Sequence, residues 1–359
     1  MDTRKLFEPL TFARGKPMKN RFALAPLTNL QSHPDGVLSD DEFNWLVMRA
    51  KGGFGMTMTC AAHVQAGGQG FPGQLGVFSD DHLPGLTRLA SAIKAEGSLA
   101  FTQLHHAGIR SPKEIVGQPV GPSDDAETGA RALTEAEVQE AIEAYVEAAV
   151  RSQKAGFDGV ELHGAHGYLI AQFISPEINR RDDPYGGSLE NRARLLMETI
   201  DGVRARCGED FQLGVRISPE RFGLRLAEMR DLAAELLAGG KLEFLDLSLW
   251  DVFKEPIEDD FKGQPLVALF ADLPRGNTRV GAAGKIMTPG DCMRTLEAGM
   301  DFVFLGRAAI LHHDYPQRVK ADGGFEPIAL PVTKDYLRNE GLGEPFVNYM
   351  STWKGFVAA

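Results

Sequence analysis

Cysteine is scarce in this chain. The three present, Cys60, Cys207 and Cys292, lie far apart in 359 residues, so neither a disulfide framework nor a CxxC metal pair can be read from them. A surplus of positive charge is also missing. Lys and Arg number 38 against 49 Asp and Glu, a formal charge of -11. Nucleic-acid surfaces are normally basic and clustered, so no nucleic-acid partner is expected. A local anion site is still allowed, because a few arginines and backbone amides suffice for one phosphate. Nowhere do 18 apolar residues run together, which gives no reason to expect a membrane span. The opening, Met1-Asp2-Thr3-Arg4-Lys5-Leu6-Phe7-Glu8-Pro9, has no apolar stretch of signal-peptide length. The expectation is a cytoplasmic, reduced, globular protein.

No linker or low-complexity run divides the chain either. Short apolar segments alternate with longer helical patterns about eight times. Candidate strands cover 22–27, 56–61, 99–104, 159–163, 212–217, 244–249, 279–283 and 302–305. Helical patterns cover 83–96, 135–155, 189–206, 227–238 and 289–298, and Thr134 before Glu135-Ala136-Glu137 reads as a capping box. Strands that are almost continuously apolar, each followed by a helix, mean a parallel sheet buried on both faces. Eight such units fit a closed α/β barrel, the (β/α)8 TIM barrel, better than an open sheet. The chain 1–359 is then one domain, with a tail from about residue 330 to 359 packing on the barrel or on a neighbouring subunit. The long excursions 65–81, 111–132 and 176–187 are predicted loops over the catalytic face.

In such a barrel the active site gathers at the carboxyl ends of the strands. There the sequence places Glu161-Leu162-His163-Gly164-Ala165-His166-Gly167-Tyr168: two imidazoles three residues apart, then a phenol two residues later. Together they can hold and protonate a polarised carbonyl compound. The HxxH spacing also admits zinc, but the HExxH glutamate and a third ligand are missing, so no metal is expected. Strand seven runs into Gly281-Ala282-Ala283-Gly284-Lys285 and strand eight into Gly306-Arg307. Barrels commonly bind phosphate at these two loops, small residues admitting the anion and a guanidinium forking onto it. The alternative is that the glycines only allow tight strand–helix turns. Arg216, ending strand five, reads as a ligand contact or as an ion pair with a neighbouring strand's acid. Gln103, after strand three, reads as a partner for a heterocycle edge or as a buried amide bonded to backbone.

As a set, these residues resemble the old yellow enzyme family of FMN-dependent NAD(P)H oxidoreductases and ene-reductases. The matching stretches begin with Asn20-Arg21-Phe22-Ala23-Leu24-Ala25-Pro26-Leu27-Thr28 and Gln103-Leu104-His105-His106-Ala107-Gly108. They continue with Asp158-Gly159-Val160-Glu161-Leu162-His163-Gly164-Ala165-His166-Gly167-Tyr168-Leu169. Asp183-Pro184-Tyr185-Gly186-Gly187-Ser188-Leu189-Glu190-Asn191-Arg192 and Leu305-Gly306-Arg307 complete the set. They cover nearly the whole chain.

The resemblance implies a TIM barrel holding FMN tightly and non-covalently, with NADH or NADPH as reductant. Ala25, Pro26, Leu27, Thr28, Ala61, Gln103 and Arg216 would contact the flavin ring and ribityl chain. Ala283, Gly284, Gly306 and Arg307 would take its phosphate. His163 and His166 would bind the oxygen of an enone or nitro substrate, with Tyr168 as proton donor and Trp353 lining the pocket. Trp250 is a further wall candidate; for both tryptophans the alternative is a purely structural aromatic. In the implied cycle hydride passes from NAD(P)H to the flavin and on to the β-carbon, while Tyr168 protonates the α-carbon. A homodimer or higher homo-oligomer is implied as well. The alternative from another class is a flavin- or ligand-binding barrel without turnover, which needs neither the histidines nor Tyr168. Leu30 stands where some relatives carry an aromatic.

Overall fold

A computed structural model describes residues 2–358. Eight strands close into one parallel barrel: β1 Phe22–Leu24, β2 Met56–His63, β3 Leu99–His105, β4 Gly159–Gly164, β5 Gln212–Ile217, β6 Phe244–Ser248, β7 Arg279–Ala283 and β8 Phe302–Leu305. Each pairs with its sequence neighbours, and β8 closes on β1 through Phe22↔Val303 and Leu24↔Leu305. The outer ring is α1 Asp40–Lys51, α2 Leu83–Ala95, α3 Glu135–Lys154, α4 Leu189–Arg206, α5 Leu226–Ala238, the single turn α6 Ala268–Ala271, α7 Pro289–Glu297 and α8 Tyr315–Ala321. This is the (β/α)8 architecture expected from the alternation.

The strand period of two sorts residues to the two faces. Leu213, Val215 and Ile217 of β5 and Leu245 and Leu247 of β6 pack outward into the large core beneath the helices. Met56, Met58, Phe101, Phe244, Phe302 and Phe304 point inward and form a separate apolar cluster. The N-terminal segment plugs the barrel bottom: Leu10 and Met18 exchange backbone hydrogen bonds at 2.9 Å, and the Phe12 ring lies 6.2 Å from that of Phe244. The predicted capping box holds, with Glu137 N donating to Thr134 Oγ1 at 3.2 Å and Thr134 N to the Glu137 carboxylate at 2.8 Å.

The boundaries differ from the sequence reading where backbone chemistry intervenes. The first strand stops at Leu24 because Pro26 has no N–H to extend the ladder. Strands two, three and four run on to His63, His105 and Gly164, so imidazoles occupy strand ends. In β2 the register shifts between Met58 and Ala61, so Met58 pairs with Phe101 but Ala61 with Gln103. That bulge turns Ala61 inward where unbroken alternation would have placed Cys60. The predicted loop 111–132 holds a short helix, Lys113–Val116, and two paired strands, Val120–Gly121 and Arg131–Ala132. In the tail, described to residue 358, helices Lys334–Asn339 and Glu344–Ser351 lie on the barrel, with the Phe346 ring 4.9 Å from Trp45. Among the described residues no helix is long and apolar enough to cross a membrane.

Candidate functional site

At the carboxyl ends of the strands lie two adjoining cavities of about 250 and 180 Å³. They share Pro26, Leu27, His166, Arg216 and Trp353, so they form one continuous cleft. Ala25, Ala283, Gly284, Gly306 and Arg307 line the first, together with Trp250. Thr28, Ala61, Gln103, His163 and Tyr168 line the second. All the residues singled out in the sequence therefore meet in one place.

The first cavity has the character of an anion site at one end. The Arg307 side chain, at the start of the short helix Arg307–Leu311, has no ion-pair or hydrogen-bond partner among the described residues. At Gly306 an added Cβ would meet only Leu27 Cδ2, at 3.4 Å, so packing does not demand glycine there. The open space beside an unpaired guanidinium suits a phosphate. Gly284 differs: at φ +151 a Cβ would stand 2.8 Å from Asp251 N, so the chain crossing itself requires glycine. Here the turn reading holds too. Lys285 spends its charge on Asp251 at 3.0 Å.

The second cavity holds the imidazoles and the phenol. Beyond β4 the chain turns left-handed at His166 (φ +60) and Gly167 (φ +70), which folds Tyr168 back toward His163. The His163 ring centroid lies 5.0 Å from His166 and 5.3 Å from Tyr168, both edge-on. The Arg110 guanidinium sits 4.7 Å over the Tyr168 ring and donates to the His166 carbonyl, tying the two residues together. His105 adds a ring 4.4 Å from Tyr168. His163 Nδ1 is buried without a partner, while His166 Nε2 lies 2.7 Å from Ser248 Oγ.

Electrostatics fixes the protonation states. Burial first, then the charge of Arg216 and Arg110, pulls His166 down to about 3. His163 is driven well below the ordinary imidazole value by burial, with His166 and His105 adding to it. Both rings are neutral at neutral pH. Burial pushes the Tyr168 phenol up, against the opposing charge of Arg110, so it keeps its proton. The site is a pair of neutral imidazoles facing a protonated phenol.

Beneath the cleft lies a charged layer that the sequence reading saw in part. Arg216 Nε is 2.9 Å from Asp246 Oδ2, so the ion pair to a neighbouring strand's acid exists, close in distance but not aligned as a hydrogen bond. Arg216 nevertheless also faces both cavities. Gln103 Nε2 donates to Glu161 Oε1 at 2.7 Å, so the amide is bonded to a side chain and not to backbone. Its carbonyl oxygen is left to face a ligand. Sequence reasoning also passed over Ser248, Arg110, Tyr349 and Met350. The last two come from helix Glu344–Ser351 and line the second cavity beside Trp353. Neither has a motif of its own, although both stand within four residues of Trp353.

The sequence model of the NADH:flavin oxidoreductase / NADH oxidase family matches residues 5–323. The chain is 38% identical to the probable NADH-dependent flavin oxidoreductase YqiG of Bacillus subtilis, over 98% of this chain and 97% of that protein. It is 34% identical to an NADPH dehydrogenase of Bacillus licheniformis, over 88% of this chain and 94% of that one. Among solved structures, the old yellow enzyme homologue from Zymomonas mobilis superposes with a TM-score of 0.81 at 29% identity, covering 96% of this chain and 99% of the other.

Proposed function

This chain belongs to the NADH:flavin oxidoreductase / NADH oxidase family, that of old yellow enzyme, and on that basis we propose that it reduces activated C=C bonds. It is an FMN-dependent NAD(P)H oxidoreductase with a (β/α)8 barrel. The substrates in this reading are α,β-unsaturated carbonyl compounds and nitro compounds. The observation that carries it is the trio of neutral His163, neutral His166 and protonated Tyr168 at the wall of the cleft.

The free Arg307, the open space at Gly306 and the unpaired carbonyl of Gln103 at the cavity wall fit the phosphate and the ring edge of FMN. Bound FMN supplies an acceptor and donor of hydride. The chain does the rest. Neutral imidazoles donate hydrogen bonds through N–H without competing for the substrate as cations. In this reading His163 and His166 hold the substrate's oxygen, His166 exchanging its Ser248 contact for it. As negative charge develops on that oxygen, each well-placed donor stabilises it by about 3 kcal/mol. Tyr168 delivers a proton to the α-carbon, and Arg110, stacked on its ring and tied to the His166 carbonyl, fixes the phenol's direction. Trp353, Tyr349 and Met350, from the tail of the same domain, form the wall that shapes the entry.

A phenol tests the oxygen-binding role directly, because it offers an oxygen anion to the same donors. Titrating the FMN-loaded protein with p-hydroxybenzaldehyde under air is expected to raise a long-wavelength charge-transfer band. Absence of the band at saturating phenol would refute the placement of an oxygen between His163 and His166.

A further inference from the structure

Arg216 and Gln103, which the family resemblance assigns to the flavin and which line the cleft, leave two buried acids beneath them unexplained. Glu161 and Asp246 are fully buried on the inward face of β4 and β6. Each lies in register with a glycine on the next strand, Glu161 with Gly214 and Asp246 with Gly281; a Cβ at Gly214 would run into the Phe244 ring and one at Gly281 would stand 2.8 Å from Phe302 and Phe304, so the glycines seat the aromatic rings directly against the acid layer. Below them the cluster of Phe101, Phe244, Phe302 and Phe304 seals the barrel. Two acids and one guanidinium thus sit between an aromatic floor and the cofactor cleft. Three ionised groups there would leave a net negative charge in a dry interior, which is costly.

We propose that Asp246 and Glu161 are positioning residues under the flavin: Asp246, ionised, cancels much of the Arg216 charge, and Glu161, as a neutral carboxylic acid, orients the Gln103 amide. Geometry assigns the charges. Asp246 has the guanidinium at 2.9 Å, whereas Glu161 has an amide donor on Oε1 and no partner on Oε2. Burial drives Glu161 well above the ordinary carboxylate value, with the charge of Asp246 adding to it and Arg216 and Gln103 opposing. Gln103, pinned by its Nε2, presents its carbonyl upward as an acceptor. The layer is then neutral overall, so reduced flavin meets a guanidinium already largely matched. Net stabilisation of the reduced cofactor's negative charge is smaller than Arg216 alone would give.

This inference rests on the assignment of Arg216 and Gln103 to the flavin. Its test is the two-electron midpoint potential and the FMN dissociation constant of three variants of the loaded protein. Asp246→Asn, similar in shape, unmasks Arg216. It is expected to favour binding of reduced over oxidised FMN at least tenfold more than the parent, a rise of about 30 mV for a two-electron couple. Glu161→Gln replaces a neutral acid by a neutral amide and is expected to leave the potential where it was. An unchanged potential in Asp246→Asn, or an equal rise in Glu161→Gln, would overturn the proposal. A purely structural role for Asp246 would lower thermal stability without moving the potential. Arg216→Met separates the underlying reading: it should loosen FMN or lower the potential. If it does neither, the flavin assignment of Arg216 fails, whatever the two acids do.

Discussion

His163 shows how much one side chain can decide. It is buried and neutral, and its ring lines the second cavity. Its truncation should therefore remove oxygen binding without touching the phosphate end. His163→Ala is expected to keep FMN and to weaken p-hydroxybenzaldehyde binding by one to two orders of magnitude, since a hydrogen bond to a charged acceptor is worth about 1.5–3 kcal/mol. Unchanged affinity, read by the charge-transfer titration, would remove His163 from the site. The histidines and Tyr168 were legible in the sequence because they share one strand end within six residues. Asp246 was not. Its partner Arg216 lies thirty positions away in sequence and meets it only through the register of β5 and β6. Glu161 stood in the recognised motif, but its bond to Gln103 needs the pairing of β3 with β4.

At the level of elements, the alternation of strands and helices was enough to announce a closed barrel, because parallel strands buried on both faces read as mostly apolar runs. Bulges and tails were harder. The irregularity in β2 leaves no mark in hydropathy, yet it decides that Ala61 faces the cleft and Cys60 the outer core. The helix Glu344–Ser351 has no motif; tertiary packing of Phe346 on Trp45 and the bond from Gly343 N to Gln31 Oε1 at 2.8 Å bring it over the site. It carries Tyr349 and Met350, and Trp353 follows within two residues. Trp353 packs edge-on between Tyr349 at 6.0 Å and Phe356 at 5.8 Å. Its removal widens the cleft and leaves the barrel intact. Trp353→Ala is expected to raise the KM of a small ring enone about tenfold, the equivalent of some 1.4 kcal/mol of lost contact, with flavin reduction by NAD(P)H less affected. A KM that stays at the parent value would make this tryptophan a structural clamp only.

The molecule as a whole stores five neutral histidines in or near its site. Burial lowers His63 to about 4 and His106 and His166 to about 3, and drives His105 and His163 well down. In the unfolded chain these rings take up protons below the ordinary value of 6.5. Between that value and their folded values the unfolded state binds more protons, so stability is present above 6.5 and is lost as pH falls. Each ring contributes up to about 1.4 kcal/mol per pH unit. Glu42, Glu161 and Asp246, pushed up by burial, work in the opposite sense, but they are three against five. The melting temperature is expected to fall between about pH 6.5 and pH 4.5, where all five rings take up protons on unfolding; a rise over that interval would contradict the neutral-histidine site.

The central claim is that this cleft reduces an activated alkene with Tyr168 as acid, and single-turnover kinetics isolates that step. The photoreduced, FMN-loaded protein would be mixed anaerobically with 2-cyclohexenone and the return of oxidised flavin absorbance followed in the parent and in Tyr168→Phe. Rapid reoxidation is expected in the parent and a loss of about 10²-fold or more in the variant, with reduction by NAD(P)H nearly unchanged. A parent protein that 2-cyclohexenone does not reoxidise, or a variant that reoxidises at the parent rate, would contradict it.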